Sequence, residues 1–275
     1  MEIFNNLFGK IFDILFLPFR AFDPWFALIF VSFLTGLLML LIFRLTSNQD
    51  GILKSKNKIK AHLLELRLYK DSMSQSFKSQ GRILAANLKY LGYALKPMLV
   101  MFVPVMLILF QLNVWFGARA FEPGESGLLK INLLPSAGAL PADIRLESPP
   151  GLVVDTPPLR IEEDREIDWR LRAKDPGWHD LVVRWAGESI VLPVAVGRKS
   201  LARIPTVKPG WSALDQLSNP GIKPLPKNAL IRSIEVGYPS RRFAFFGLRI
   251  PWLVAFFILS IVFGFAFKGV FKVEI

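Results

Sequence analysis

The chain of 275 residues offers few side chains that could do covalent or metal chemistry. It has no cysteine, which excludes disulfides, thiolate metal sites and cysteine nucleophiles, and it has two histidines, His62 and His179. The densest group of carboxylates consists of Glu162, Glu163, Asp164, Glu166 and Asp168. These acids lack the spacing and the glycine of a calcium loop, and the sequence has neither a G-x-S-x-G motif nor a phosphate-binding glycine loop. We therefore expect no enzymatic activity, no metal site and no cofactor.

Three uncharged, apolar runs are each long enough to cross about 30 Å of hydrocarbon at about 1.5 Å per residue. They cover residues 24–43, 97–118 and 250–267, and charged residues flank each of them. We predict three transmembrane helices. A buried helix of a soluble protein, the alternative, typically has a shorter apolar run of about 10–14 residues.

Basic residues set the expected orientation, because Lys and Arg concentrate in short cytoplasmic loops. Residues 44–96 hold 11 Lys or Arg and 3 acids, a net charge of +8. We therefore place this segment and the tail of residues 268–275 in the cytoplasm, and the N-terminus and residues 119–249 outside. The expected location is a plasma membrane, namely a bacterial inner membrane. Each helix carries a tryptophan at its expected outer end, as membrane interfaces favour: Trp25, Trp115 and Trp252.

Residues 1–23 carry apolar side chains at helical spacing from Phe4 to Phe19. This pattern predicts an amphipathic helix that ends near Pro18 and lies flat in the outer membrane interface. The alternative is a longer first membrane helix, which the prolines and charges between Pro18 and Pro24 disfavour. The segment also lacks the basic start and the small-residue cleavage site of a signal peptide.

From Ile52 to Leu95, apolar residues recur at steps of three, four and seven, the pattern of helices packed in a coiled coil. The rhythm weakens between Asp71 and Ser79, where we predict the turn of an antiparallel helical hairpin. Its basic surface is expected to contact anionic lipids, with ribosomal RNA and plain solvent as alternatives, and no sequence-specific nucleic-acid binding. The residues predicted for these contacts are Lys54, Lys56, Lys58, Lys60 and Arg67.

Residues 119–249 contain several short runs in which polar and apolar residues alternate, as in β-strands. The clearest run is Glu166 to Lys174, and the turn residues Asp175, Pro176 and Gly177 follow it. Several such strands predict an extracytoplasmic all-β domain of the immunoglobulin-like sandwich type. The proline-rich residues 198–229 are predicted to be an irregular return segment.

Few polar side chains interrupt the three predicted spans: Ser32, Thr35, Gln111, Asn113 and Ser260. Polar groups inside a membrane need partners, so these side chains should face other helices or a wet cavity rather than lipid. Hydrogen bonding between helices is their ordinary use. Four of the six methionines also lie in or beside the spans, and pliable thioethers suit either varied apolar clients or ordinary membrane packing.

Two strings carry a family resemblance, LKPMLVMFVPVMLILFQLNVWF from Leu95 to Phe116 and IPWLVAFFILSIVFGFAFKGVF from Ile250 to Phe271. Together with the amphipathic helix, the first span and the hairpin, they resemble the Oxa/YidC superfamily of membrane protein insertases. The likeness is to its three-helix branch, which includes the ER membrane complex insertase subunit and archaeal relatives. The chain departs from that family in its inserted β-rich domain and in having no arginine within the three spans.

The resemblance implies a shallow, partly polar groove that lets a short polar flank cross while an apolar client segment enters the bilayer. The predicted groove residues are Thr35, Met101, Gln111, Asn113 and Ser260, with Arg44 and Lys96 at the cytoplasmic mouth. The implied partners are lipids, hydrophobic client membrane proteins and a ribosome at the basic hairpin. The competing hypothesis is a structural or assembly subunit of an envelope complex, which presents residues 122–240 to other envelope proteins.

Overall fold

The computed structural model describes residues 2–68, 73–135, 140–141, 143–185, 187–197, 200–226, 230–245 and 247–274. The chain divides into two compact units. The β-sheet unit comprises Met1–Leu28 and Leu107–Ala255, and the helical unit comprises Ile29–Met106 and Phe256–Ile275.

The helices are α1 (Glu2–Phe16), α2 (Pro24–Thr46), α3 (Gln49–Leu68), α4 (Met73–Phe116), α5 (Ala213–Ser218) and α6 (Trp252–Phe267). Two of them, α2 and the Phe77–Phe116 part of α4, are long and apolar enough to cross a membrane. The third expected span corresponds to α6, which has only 16 residues because Ile250 and Pro251 belong to a β-strand. At about 1.5 Å per residue α6 is shorter than the thickness of a typical hydrocarbon core, so three full spans are not established.

One helix, α4, carries both the second arm of the hairpin and the second expected span. It is helical from Met73 to Phe116 and contains Pro97 and Pro104. Proline has no N–H, so each ring removes one bond from the helical ladder. The expected boundary between residues 96 and 97 therefore falls inside a helix.

The antiparallel hairpin of α3 and α4 is present. Gly51, near the start of α3, lies against the ring of Tyr93, while Ser79 Oγ donates to Glu65 Oε2 over 3.3 Å near the other end. The turn predicted between Asp71 and Ser79 is wrong for residues 73–79, which belong to α4. Residues 69–72 lie outside the described part of the chain.

Ile52 and several small residues are the buried positions of this hairpin, whereas most of the predicted leucines are exposed. Its buried positions include Gly51, Ser55, Ser79 and Ala86. A Cβ on Gly51 would lie 2.8 Å from the Tyr93 ring, so the glycine leaves room for that ring against α3. The leucines of the coiled-coil rhythm are instead 50–62% exposed: Leu63, Leu84, Leu88, Leu91 and Leu95. Ile52 of the same rhythm is fully buried, and Ile59 and Leu66 are half-buried, so the expected packing is present at these positions of α3 and wrong for the five exposed leucines.

The strands are β1 (Ser126–Leu133), β2 (Arg145–Glu147), β3 (Leu152–Val154), β4 (Leu159–Ile161), β5 (Glu166–Ala173), β6 (Gly177–Trp185), β7 (Glu188–Val196), β8 (Val207–Lys208), β9 (Ile231–Val236), β10 (Arg242–Phe245) and β11 (Leu248–Pro251). One antiparallel sheet has the order β3-β5-β1-β9-β8, with β4 also paired to β5. A second contains β2, β6 and β7, and β10 pairs with β11. The predicted β domain is confirmed.

Both larger sheets contribute to one hydrophobic core. In β5 the side chains of Ile167, Trp169 and Leu171 enter this core, whereas Arg170 is exposed on the other face. Leu181 and Val194 of the second sheet belong to the same cluster. The period of two that predicted β5 from the sequence therefore also identifies its buried face.

Helix α1 packs against the rest of the β-sheet unit through Phe16. The Phe16 ring is fully buried, with its centroid 5.0 Å from that of Trp115 and 5.5 Å from that of Phe116. Ile11 and Ile14, on another face, are exposed. The predicted amphipathic helix is present, and it has an apolar face against protein as well as an exposed apolar face.

Candidate functional site

A cavity of about 400 Å³ lies within the helical unit, between α2, α4 and α6. Its walls are mostly apolar, and they include Met39, Phe43, Tyr90, Ala94, Met98, Val105, Phe257, Ile261 and Phe265. Met98, Phe257, Ile261 and Phe265 are also exposed on the helix surfaces. The cavity therefore opens to its surroundings along an apolar rim.

The cavity brings together three of the predicted groove residues, Thr35, Met101 and Ser260. Thr35 is buried. The Ser260 hydroxyl is also buried, and it has no hydrogen-bond partner within the described residues. A buried hydroxyl without a partner is costly, so Ser260 offers an unused donor and acceptor at the cavity wall.

The structure places the other predicted groove residues elsewhere. Arg44 and Lys96 are exposed and are not part of the cavity lining. Gln111 and Asn113 belong to the β-sheet unit, where Asn113 is exposed and Gln111 is almost fully buried. In the described part of the chain, neither amide atom of Gln111 has a hydrogen-bond partner.

Helices α2 and α6 form a tightly packed wall of the cavity. A Cβ on Gly36 would lie 2.8 Å from the Ser260 carbonyl oxygen and 3.2 Å from Phe263 Cβ. Beside this contact, the Phe33 ring packs edge-on against Phe263, with 5.3 Å between centroids. Glycine therefore permits the close approach of the two helices at this point.

The wall contributed by α4 shows what the sequence analysis missed. Tyr90, Ala94, Met98, Met101 and Val105 line the cavity, and their spacing of three and four residues is that of one helical face. Tyr90 and Ala94 were assigned to the hairpin, apart from the membrane span. Treating Met73–Phe116 as one helix would have joined them to the methionines.

The basic residues predicted for lipid or ribosome contacts divide into two groups. Lys54, Lys58, Lys60 and Arg67 are exposed. Lys56 Nζ instead donates to Glu274 Oε2 over 3.0 Å, and this hydrogen bond holds the pKa of Glu274 below its usual value. The backbone N–H of Glu274 also donates to Gln49 Oε1 over 2.7 Å. The C-terminal segment is thus attached to α3 at Lys56.

A charged cluster lies on the β-sheet unit. Lys130 Nζ donates to Glu166 Oε1 over 2.7 Å and lies 3.8 Å from Asp168 Oδ2. This hydrogen bond lowers the pKa of Glu166, whereas burial, together with Glu166, raises the pKa of Asp168 to about 6. The acidic run is therefore not a solvated loop along its whole length, because Glu166 and Asp168 on β5 form an ion cluster with Lys130.

We expect the β-sheet unit to become more stable as the pH falls from 7 to 5. Native Asp168 takes up a proton near pH 6, whereas an unfolded aspartate does so near pH 3.9, so protonation favours the folded state in this interval. Asp168→Asn should add about 1–2 kcal/mol to the free energy of unfolding at pH 7 and flatten its pH dependence. Urea unfolding of the solubilised chain, followed by tryptophan fluorescence at pH 5 and 7, measures both. The exposed Asp180→Asn variant should keep the original slope; a slope unchanged in Asp168→Asn would contradict the prediction.

No family model and no curated protein matches this chain. Among solved structures, the crystal structure of domains 4 and 5 of the S-layer protein SbsC is similar to part of it, with 11% identity and a TM-score of 0.23. The match covers 29% of this chain and 47% of that structure, so the chain spans about half the length of the matched structure. A TM-score this low does not indicate a shared fold.

Proposed function

We propose that the protein is a membrane protein insertase or insertion chaperone, with the cavity between α2, α4 and α6 as its client site. In this proposal α2, α4 and α6 all cross a bacterial inner membrane. The N-terminus and the β-sheet unit, an immunoglobulin-like sandwich, lie outside, and the hairpin and C-terminal tail lie in the cytoplasm. The protein performs no catalysis and uses no cofactor.

The observation that carries the proposal is the composition of the cavity. Its open rim is apolar, while two hydroxyl-bearing residues, Thr35 and Ser260, are among its lining. An apolar client segment packs on the rim, and the hydroxyls hydrogen-bond the polar flank that crosses first. Such contacts reduce the cost, several kcal/mol, of moving polar groups through hydrocarbon.

The short helix α6 supports the same mechanism. Its 16 residues span about 24 Å, several ångströms less than an average hydrocarbon core. A membrane adapts to a short helix by becoming locally thinner. Thinning beside the cavity shortens the path of the polar flank, so the length of α6 and the hydroxyls act in the same direction.

Filling the cavity tests the proposal. Ala94→Trp places an indole among the lining residues of α4, and we expect it to lower insertion of small membrane proteins with short translocated tails at least fivefold. The matched control is Ala85→Trp, which adds the same side chain at an exposed position of the same helix. Insertion is measured in proteoliposomes by protease protection of the tail. Equal activity of the two variants would reject the cavity as the client site.

Crosslinking provides an independent measurement. A photoreactive residue at Met101, in the cavity wall, should give client adducts during insertion, whereas one at the neighbouring exposed Phe102 should give far fewer. Equal yields at the two positions would show that the client contacts the exposed helix surface as often as the cavity, which would count against the cavity as the client site. If both experiments fail and removal of residues 122–240 abolishes co-purification of an envelope protein, the assembly-subunit hypothesis would replace this proposal.

A further inference from the structure

A second cavity lies in the β-sheet unit, beneath the return segment. One lobe, of about 440 Å³, is lined by Trp178 of β6 together with residues of β7 and β9. The neighbouring lobe, of about 560 Å³, extends to Trp211 beside α5. The two lobes share Val191, Lys208, Gly221, Ile222 and Lys223, so they adjoin, and we refer to them together as the cleft. Each lobe has the size of a small-molecule site.

The charges of the cleft have one sign. Lys208 and Lys223 lie where the lobes join, and Arg203 lines the first lobe. Among the described residues that form its wall, none is Asp or Glu. Arg203 is partly neutralised by Asp13 of α1, with Nη2 3.3 Å from Oδ1. The charges that remain available for a ligand are those of the two lysines.

The surroundings of Lys208 favour an anion beside it. Lys208 is half-buried, and its ammonium group donates to the Val191 carbonyl oxygen over 2.9 Å. Burial lowers the pKa of Lys208, and the neighbouring Lys223 lowers it further. Two ammonium groups of like charge at one junction repel each other, and a bound anion would remove that repulsion.

The remaining walls favour an alkyl chain. Leu192, Ile222, Ile234 and Val236 line the first lobe, and Trp178 and Val191, which also line it, are among the exposed apolar side chains of the unit. In the second lobe Trp211 Nε1 donates to the Leu225 carbonyl oxygen over 2.6 Å, which fixes the indole in the wall. Apolar walls around a few placed charges are the usual design of a small-ligand site.

We propose that this cleft binds an anionic amphiphile, with its carboxylate or phosphate group between Lys208 and Lys223 and its alkyl chain along the apolar walls. The ligand comes from one of two sources, a free fatty acid or the head group of an acidic phospholipid. Arg203 connects the cleft to α1, because its guanidinium also donates to the Gly9 carbonyl oxygen over 3.3 Å. This binding site is independent of the proposed insertase activity.

The test uses the full chain, labelled with 5-fluorotryptophan, in phosphatidylcholine nanodiscs. Trp178 and Trp211 report on the two lobes by ¹⁹F NMR, and Trp→Phe variants assign their signals. Octanoate should shift both signals saturably, whereas octanol and octyltrimethylammonium should not. Replacing part of the phosphatidylcholine with phosphatidylglycerol tests the lipid source. A shift with octanoate alone assigns a free acid, and a shift with phosphatidylglycerol alone assigns a lipid head group.

Charge variants locate the anion. The double variant Lys208→Met/Lys223→Met should weaken binding at least tenfold, and Lys208→Arg/Lys223→Arg should restore it. The matched control, Arg170→Met/Lys174→Met, removes two exposed charges from the same unit outside the cleft and should leave binding unchanged. The proposal would be overturned if neither anion shifted the signals. It would also be overturned if octanol shifted them as much as octanoate does and the shift persisted in Lys208→Met/Lys223→Met.

Discussion

Replacing Gly36 with leucine should force α2 and α6 apart and destabilise the helical unit by about 3 kcal/mol. The reason is that the nearest neighbours of an added Cβ are rigid: the Ser260 carbonyl oxygen at 2.8 Å, Phe263 Cβ at 3.2 Å and the Gly264 backbone nitrogen at 3.3 Å. None of them is the mobile end of a side chain. The helices must therefore shift as whole elements, and the cavity that they border changes with them.

The absence of native cysteine makes this effect easy to measure. A single Ser260→Cys variant places a thiol where the native hydroxyl is buried, so it should react slowly with a maleimide. Adding Gly36→Leu should expose the thiol and raise the rate at least tenfold. The matched control is Gly92→Leu, because Gly92 is exposed on α4 and a Cβ there meets no described atom within 4 Å. Slow labelling in both double variants would show that the contact at Gly36 yields without separating the helices.

Sequence patterns predicted those elements whose signal is local. The period-two alternation in β5 required only its own residues, and uncharged runs located the long apolar helices α2 and α4. The hairpin shows the limit of this reasoning. Leucines at steps of three, four and seven form one face of a helix, but the sequence does not state what covers that face. The buried positions are instead Ile52 and small residues such as Gly51, which leaves room for the Tyr93 ring.

The candidate groove shows the same limit. Polar residues in apolar runs were visible in the sequence, and the structure gathers Thr35, Met101 and Ser260 around one cavity. Gln111 gave the same signal, yet it lies ten residues beyond Met101, about 15 Å along the same helix. The position of a residue along a helix relative to the cavity, and the unit to which each helical turn belongs, depend on long-range packing. The contact of α6 with Gly36 also required the three-dimensional structure.

Removing the Phe16 ring should release α1 from the β-sheet unit. Phe16 is fully buried between Trp115 and Phe116, and truncating such a ring to alanine typically costs about 3–5 kcal/mol. The remaining contacts to Arg203, from Asp13 and the Gly9 carbonyl oxygen, lie on a partly exposed surface and compensate little. An isolated helix of 15 residues is marginal in water, so the detached segment should also lose helical structure.

Limited trypsin digestion of the detergent-solubilised chain measures this release, because Arg20 lies four residues after α1 and its guanidinium carbon is 5.8 Å from the centroid of the Trp115 ring. Phe16→Ala should accelerate cleavage at Arg20 at least tenfold. Ile14→Ala is the matched control, since Ile14 belongs to the same helix and is 73% exposed. If both variants are cleaved at one rate, α1 is held mainly by its exposed face in the micelle. Faster cleavage in Phe16→Ala alone would show that the buried aromatic contacts anchor α1 to the protein. One apolar face of α1 would then bind the protein, and the other would remain free for the membrane interface.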